Sequence, residues 1–276
     1  MHKSLAAIAF AAAAGTPALA LAQAPAAAPQ SPHTLTGNLG IYSSYRFRGI
    51  DQTFGKPALQ GGIDYSHASG FYVGNWNSNV SEGAGFPGGN LEMDFYGGWK
   101  HAWGDWGLDV GAIYYYYPGT NSSATSFPVV ANNNPPFTIH NGRVDNKEIY
   151  IGGSWKWISL KYSHAVDDYF SIPGTKNSHY FDLSGTYDLG GGWGVTGHVG
   201  YLKLKNFSNG SYTDWKIGVT KDISGWVFAL AYVGTDTKGN CSGTFQSDPY
   251  CFPNDDGTKF KDAGRSTAVF SVSKTF

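Results

Sequence analysis

Residues 91–100 read LEMDFYGGWK, and their spacing decides the fold. Leu91, Met93, Phe95 and Trp99 share one parity, while Glu92, Asp94, Tyr96 and Lys100 share the other. A strand sends successive side chains to opposite faces, so this segment has one greasy face and one charged face. A helical face would need a spacing of about 3.6 residues instead. The same rhythm closes the chain. Ala268, Phe270, Val272 and Phe276 share a side, and Arg265, Thr267, Ser271, Ser273 and Thr275 share the reverse, with Val269 and Lys274 breaking the pattern.

Ten further segments carry alternation bounded by Gly, Asp or Ser turns. Leu35–Phe47, Ala58–Tyr65 and Phe71–Ser78 precede the quoted stretch. Leu108–Tyr117, Glu148–Trp155, Trp157–Ser163, Tyr180–Leu189, Trp193–Lys203, Tyr212–Thr220 and Trp226–Val233 follow it. With Leu91–Lys100 and Arg265–Phe276 the count is twelve. Ten strands fit if Phe71–Ser78 is miscounted, and fourteen fit if 118–146 holds another hairpin. In the first segment, Tyr45 and Phe47 fall on the face of Leu35, Leu39 and Ile41.

The links alternate between short and long, with 118–146 and 234–264 the longest. A soluble sandwich has no reason to sort its loops this way. An all-β, antiparallel, up-and-down barrel spanning a membrane does: short turns gather at one rim, long loops at the other. An even strand count returns both termini to the short-turn rim, placed in the periplasm. Composition agrees. Gly 38, Tyr 18, Phe 17 and Trp 9 of 276 residues accompany a charged fraction of 14%, against about 25% in ordinary globular chains. A formal net charge of −1 argues against a nucleic-acid partner.

Hydrocarbon on the outside forces charge to the inside, because Lys or Arg toward lipid costs about 2–4 kcal/mol near mid-depth. The residues expected to face the lumen are Arg46, Arg48, Asp64, Glu92, Asp94, Lys100, Asp109, Glu148, Lys161, Asp182, Asp214, Lys216 and Arg265. Large residues such as Tyr42, Tyr96, Tyr115 and Tyr150 leave two outcomes open, a narrow watery channel or a filled interior.

Residues 1–22 read as an export signal, 23–33 as a flexible Pro/Ala-rich lead-in, and 34–276 as the barrel. In an exported chain the pair Cys241 and Cys251 is expected to form a disulfide in an external loop.

The stretch GNLGIYSSYRFRGIDQTFGKPALQGGIDYSHASGFYVGNWNSNV (37–80), together with LEMDFYGGWK, YIGGSWKWISLKYSH (150–164) and the terminal phenylalanine, resembles the TorF family of bacterial outer-membrane porins. That family was first catalogued as exported proteins of unknown function. The resemblance covers 35–276 and implies an outer-membrane barrel of porin type. It implies no particular substrate and carries no catalytic residues. Phe276 resembles the terminal signal read by the outer-membrane assembly machinery.

The expected function is passive diffusion of small polar solutes. Lipid and lipopolysaccharide are the expected surroundings, and the oligomeric state is open. The alternatives are a non-conducting structural or surface-binding barrel, and an outer-membrane hydrolase. In RFRGIDQ, Arg46 and Arg48 are candidates for anion selectivity or for pairing with Asp64 or Glu92. A hydrolase would draw on Ser163, His164, Asp167 and Asp168, but Ser163 and His164 point to opposite faces. Asp236, Asp248, Asp255 and Asp256 could hold Ca²⁺ weakly or be solvated. The loop aromatics Phe245, Tyr250 and Phe252 could touch sugars or pack on the barrel mouth. No catalytic residue, cofactor or metal site is expected.

Overall fold

The structure is a computed structural model that describes residues 31–86, 88–120, 143–237, 239, 241, 248–254, 256 and 258–276. Residues 1–22, where an export signal is expected, the Asn/Pro-rich stretch at 121–137, Phe245 and Asp255 lie outside the described residues.

The first strand, β1 (His33–Tyr42), leaves the wall at Ser43, and a short hairpin of β2 (Arg46–Phe47) and β3 (Ile50–Asp51) follows. The wall resumes with β4 (Ala58–His67), β5 (Phe71–Asn79), β6 (Leu91–Trp103), β7 (Trp106–Tyr116), β8 (Asp145–Trp155) and β9 (Ile158–Ala165). It continues through β10 (His179–Gly190), β11 (Trp193–Lys203), β12 (Tyr212–Ile223) and β13 (Trp226–Thr235). A second small hairpin, β14 (Cys251–Pro253) and β15 (Phe260–Asp262), precedes the last wall strand, β16 (Thr267–Thr275). The twelve wall strands close in the order β1-β16-β13-β12-β11-β10-β9-β8-β7-β6-β5-β4, every neighbouring pair antiparallel.

Closure is completed by the two ends of the chain. β1 pairs β16 from Asn38↔Thr275 to Tyr42↔Ser271. Beyond the ladder, the Gly37 N–H donates to the Phe276 carbonyl at 3.1 Å and the Phe276 N–H donates to the Gly37 carbonyl at 2.8 Å. No strand edge is left to hydrocarbon, where an unpaired backbone group costs several kcal/mol.

Side-chain parity sorts the two faces as expected. Phe95 is 44% exposed while Glu92 is fully buried, so they point to opposite sides. Leu160, Leu183, Ile217, Leu230 and Phe270 are all exposed on the outer face. Trp103, Trp106, Trp155, Trp157, Trp193 and Trp226 stand exposed beside the short turns, forming an aromatic belt. Lys156, Lys221 and Lys274 lie over the rings of Trp155, Trp193 and Trp226 at 4.7, 4.8 and 5.0 Å. Such lysines run their apolar stems along the belt and keep the ammonium at its watery margin. Toward the long-loop rim, Phe181, Tyr201 and Trp215 make a second outward set.

Two sequence expectations need correction. The first strand ends at Tyr42, not Phe47, and Tyr45 and Phe47 are buried inside instead of facing lipid with Leu39. The reason is the inward fold of the hairpin, which interrupts the parity of β1. Arg265 is exposed in the loop ahead of β16, not on its inward face.

Leu183→Arg, on the outer face, is expected to lower unfolding stability by about 2–4 kcal/mol. Thr186→Arg, on the inner face of the same strand, is expected to cost far less. Denaturant titration of both variants in lipid vesicles checks the assignment of faces.

Candidate functional site

The register assembles charges from separate strands into one row around the inner wall. Lys100 pairs Asp109, Asp109 pairs Gly152, Gly152 pairs Lys161, Lys161 pairs Asp182, Asp182 pairs Gly200, and Gly200 pairs Asp214. Five of the residues expected to line the lumen therefore stand side by side, with signs mixed along the row.

Glycines in this inner face make room for tyrosines that lie across them. Tyr72, Gly98, Gly111 and Tyr150 share one register row, and the two tyrosine hydroxyls meet over the glycines. The Tyr72 hydroxyl also donates to Asp109 Oδ1 at 2.6 Å. Asp64, Gly74 and Tyr96 share another row, and the Tyr96 hydroxyl crosses Gly74 to donate to Asp64 Oδ1 at 2.5 Å. A side chain on Gly74 would collide with that ring. Lys100 and Lys161 sit over the rings of Tyr72 and Tyr150 at 5.2 and 5.1 Å.

On the opposite side of the row, His198 stands between two carboxylates. Its Nε2 is 2.7 Å from Asp214 Oδ1, and its Nδ1 is 3.4 Å from Asp182 Oδ2. The Tyr180 hydroxyl donates to Asp214 Oδ2 at 2.8 Å, passing over Gly200. Lys216, on the inward parity of β12, keeps an exposed side chain. Water therefore reaches this part of the interior.

The half of the lumen nearer the long loops is filled by the β2–β3 hairpin. Its tip is Arg48-Gly49, with φ of +47° and +79°, the doubly positive φ that a two-residue hairpin turn of this hand requires. Glycine is needed at the second position for a further reason. A Cβ there would collide with Thr235 on the barrel wall. The Tyr212 hydroxyl holds the tip by donating to the Arg48 carbonyl at 2.9 Å.

Arg48 is the anchor of this plug. Its guanidinium makes two bonds to Glu148, Nη1 to Oε1 at 2.9 Å and Nη2 to Oε2 at 2.7 Å. Nη1 also donates to the Tyr169 hydroxyl at 3.1 Å. The rings of Phe47 and Tyr180 flank it at 4.9 and 4.2 Å. Both members of the ion pair are almost wholly buried. Around them Tyr45, Trp76, Tyr115 and Tyr117 form an apolar core inside the barrel, with Tyr42, Tyr96, Phe170 and Phe252 packed against it.

Arg46 binds elsewhere. Its Nη2 is 3.5 Å from Asp51 Oδ2, and its Nη1 donates to the carbonyls of Ala263 and Arg265 at 3.0 and 3.2 Å. Lys261 joins Asp51 at 3.1 Å, so the hairpin is tied to the last long loop. Burial pushes Arg46 below its ordinary pKa, opposed by the charges of Asp51 and Asp262. Burial likewise raises Asp262, opposed by the Gly264 N–H and by Arg46. Cys241 and Cys251 are joined by a disulfide within this loop.

The pairing expected of the two arginines is thus corrected. Arg48 meets Glu148 and Arg46 meets Asp51, whereas Asp64 and Glu92 are taken by Tyr96 and Tyr45. Glu92 accepts from the Tyr45 hydroxyl at 3.1 Å, and its carboxyl lies against that of Asp94, both of them buried.

His164 bonds the Tyr162 hydroxyl and Asn177 Oδ1, while Ser163 is buried on the opposite face. Among the described residues, no group of three or more His, Cys, Asp or Glu is placed to hold a metal ion. Tyr250 and Phe252 pack at the barrel mouth, the former edge-on to Tyr212 at 4.9 Å.

Residues 26–276 match the family described as bacterial protein of unknown function (Gcw_chp). The chain belongs to this family. No curated protein matches it. Among solved structures it is similar to a KdgM porin in complex with disordered oligogalacturonate, at 6% identity and a TM-score of 0.46, over 88% of this chain and 97% of that one. It is similar to a NanC porin at 10% identity and a TM-score of 0.46, over 88% and 99%. A third is OccK8 (OprE) of Pseudomonas aeruginosa, at 12% identity and a TM-score of 0.39, over 89% and 67%. The closed barrel of this Gcw_chp member rests on its own strand register, and these likenesses add nothing to it.

Several residues of the site escape a reading by parity alone: Tyr45, Phe47, Gly49, Tyr169 and His198. The signal that could have found the plug is Arg48-Gly49, a turn dipeptide between Phe47 and Ile50. Nothing comparable marks His198, whose partners come from strands on either side of its own.

Arg48→Met strands the buried Glu148 carboxylate and is expected to cost about 3–5 kcal/mol. The double variant Arg48→Met/Glu148→Leu is expected to recover most of that loss. Asp94→Asn relieves the conflict between two buried carboxyls in contact, Asp94 and Glu92, and is expected to stabilise the barrel, by about 1–3 kcal/mol. Equilibrium unfolding of the three variants in lipid or detergent measures all of these changes.

Proposed function

We propose that this chain is an outer-membrane channel of porin type, close to the TorF porins, which passes small polar solutes by diffusion. The observation that carries the reading is the inward charged row of Lys100, Asp109, Lys161, Asp182 and Asp214, enclosed by a wall whose outer face is apolar. A barrel needs an apolar exterior to sit in lipid, but it does not need an interior row of charge that is open to water at Lys100. In this reading the short-turn rim and both termini face the periplasm, and the long loops face outward into lipopolysaccharide. Phe276 serves the assembly machinery.

The hairpin of Arg46–Asp51 is then the constriction. Its ion pair with Glu148 and its aromatic flanks fill the outer half of the lumen. Solutes pass where the hairpin leaves space or when it shifts. The packed upper half also favours a second reading, a non-conducting structural or surface-binding barrel.

Planar-bilayer recording separates the two. Wild type is expected to give small conductance steps, and Arg48→Ala larger ones, because the plug loses its anchor. Neutralising Lys161 and Lys216 together is expected to move ion preference toward cations. Silence from correctly folded wild type and from Arg48→Ala alike would leave the structural barrel as the function.

A further inference from the structure

On the long-loop side of the hairpin lies an apolar cavity of about 100 Å³. Phe47 and Ile50 of the hairpin line it, together with Phe170, Leu204, Tyr250 and Phe252. Polar groups on its wall are already engaged. The Tyr169 hydroxyl accepts from Arg48, the Tyr212 hydroxyl donates to the Arg48 carbonyl, the Tyr250 hydroxyl donates to the Gly210 carbonyl, and the Gln52 amide nitrogen donates to the Ile50 carbonyl. A water molecule needs two to four polar partners to stay in such a place. This wall offers ring faces and aliphatic carbon instead.

The backbone is strained to build it. Phe170 has φ +47° and the next residue, Ser171, φ +58°, both in the left-handed region. An aromatic residue rarely adopts that conformation, and its energetic cost is of order 1–3 kcal/mol. Here it coincides with a ring that lies 5.7 Å from Phe47 and 5.7 Å from Tyr115, at the meeting of the two apolar cores.

We propose that this cavity binds one small, uncharged, apolar molecule about the size of a single aromatic ring. Sealed apolar cavities of roughly 150 Å³ take up benzene; this one has about two thirds of that volume and is open on one side, which gives a single ring a way in. The site is distinct from the charged row, and it does not require the lumen to conduct. Its occupant would rest directly on the hairpin that fills the outer half of the barrel.

Crystals of the full-length chain soaked in iodobenzene test the proposal. The expected result is an anomalous iodine peak enclosed by Phe47, Phe170 and Phe252. Ile172→Trp, which fills the cavity from its wall, is expected to remove that peak. If that variant does not fold, Leu204→Phe takes its place. In solution, benzene is expected to raise the unfolding temperature of wild type and not of the filled variant. Iodine found only on the lipid-facing wall, or a cavity holding ordered water after soaking, would overturn the proposal whatever the bilayer recordings show.

Discussion

A chain crossing hydrocarbon must pair every backbone amide with itself, and in this protein that requirement determines nearly everything else. Closure through β1 and β16 removes the last free edge, with Phe276 and Gly37 exchanging bonds past the end of the ladder. Once the sheet is closed, each strand has a lipid face and a lumen face and no third choice. Leu183 and Asp182 are neighbours in sequence, yet one meets lipid and the other meets Lys161 and His198. The charged row follows from closure as well. Antiparallel register brings together carboxylates and ammonium groups far apart in the chain, and leaves glycines between them for tyrosines to cross.

The interior is divided by how it is filled. Tyrosines laid over glycines line the wall with rings and hydroxyls, which suits a wet space because the hydroxyls bond carboxylates along the wall. Where the first long loop turns inward, the same lumen becomes an apolar core crossed by the buried Arg48–Glu148 pair. That change of character takes place between Asp214, a member of the row, and Gly49, which presses against it. The plug and the row therefore share a wall.

The barrel was legible in the sequence because parity is a local signal. LEMDFYGGWK declares its two faces without reference to any other segment, and the long-short alternation of links supplies the rims. Trp193–Lys203 was readable to the residue, since turn glycines stand before it and the alternation is unbroken within it. The plug was not legible by the same means. Tyr45 and Phe47 continue the alternation of Leu39 and Ile41, and only the departure of the chain from the wall at Ser43 reverses their environment. Partner choice was equally hidden. Arg48 lies 100 residues from Glu148, and the pair forms because the hairpin tip reaches across the lumen. A reading confined to adjacent strands points Arg48 toward Asp64 or Glu92 and misses it.

A buried ion pair is a poor device for stability alone, since desolvating two charges offsets much of their attraction. Apolar side chains of similar volume at positions 48 and 148 would fill the lumen without that cost. What the pair adds is orientation. A guanidinium bound at both oxygens of one carboxylate, flanked by two rings and held at its carbonyl by Tyr212, fixes the hairpin in one position. It also makes that position conditional. A hydrophobic plug would hold through any change in its surroundings, whereas a plug anchored on charge loses its advantage once water reaches the guanidinium. At the tip Asp214 is buried against Gly49, while Lys216, two residues further along the same strand, is exposed to water. For a barrel that conducts, as proposed, the charged anchor is the part of the plug that water would loosen first, and the apolar flanks of Phe47 and Tyr180 are what keep water from it.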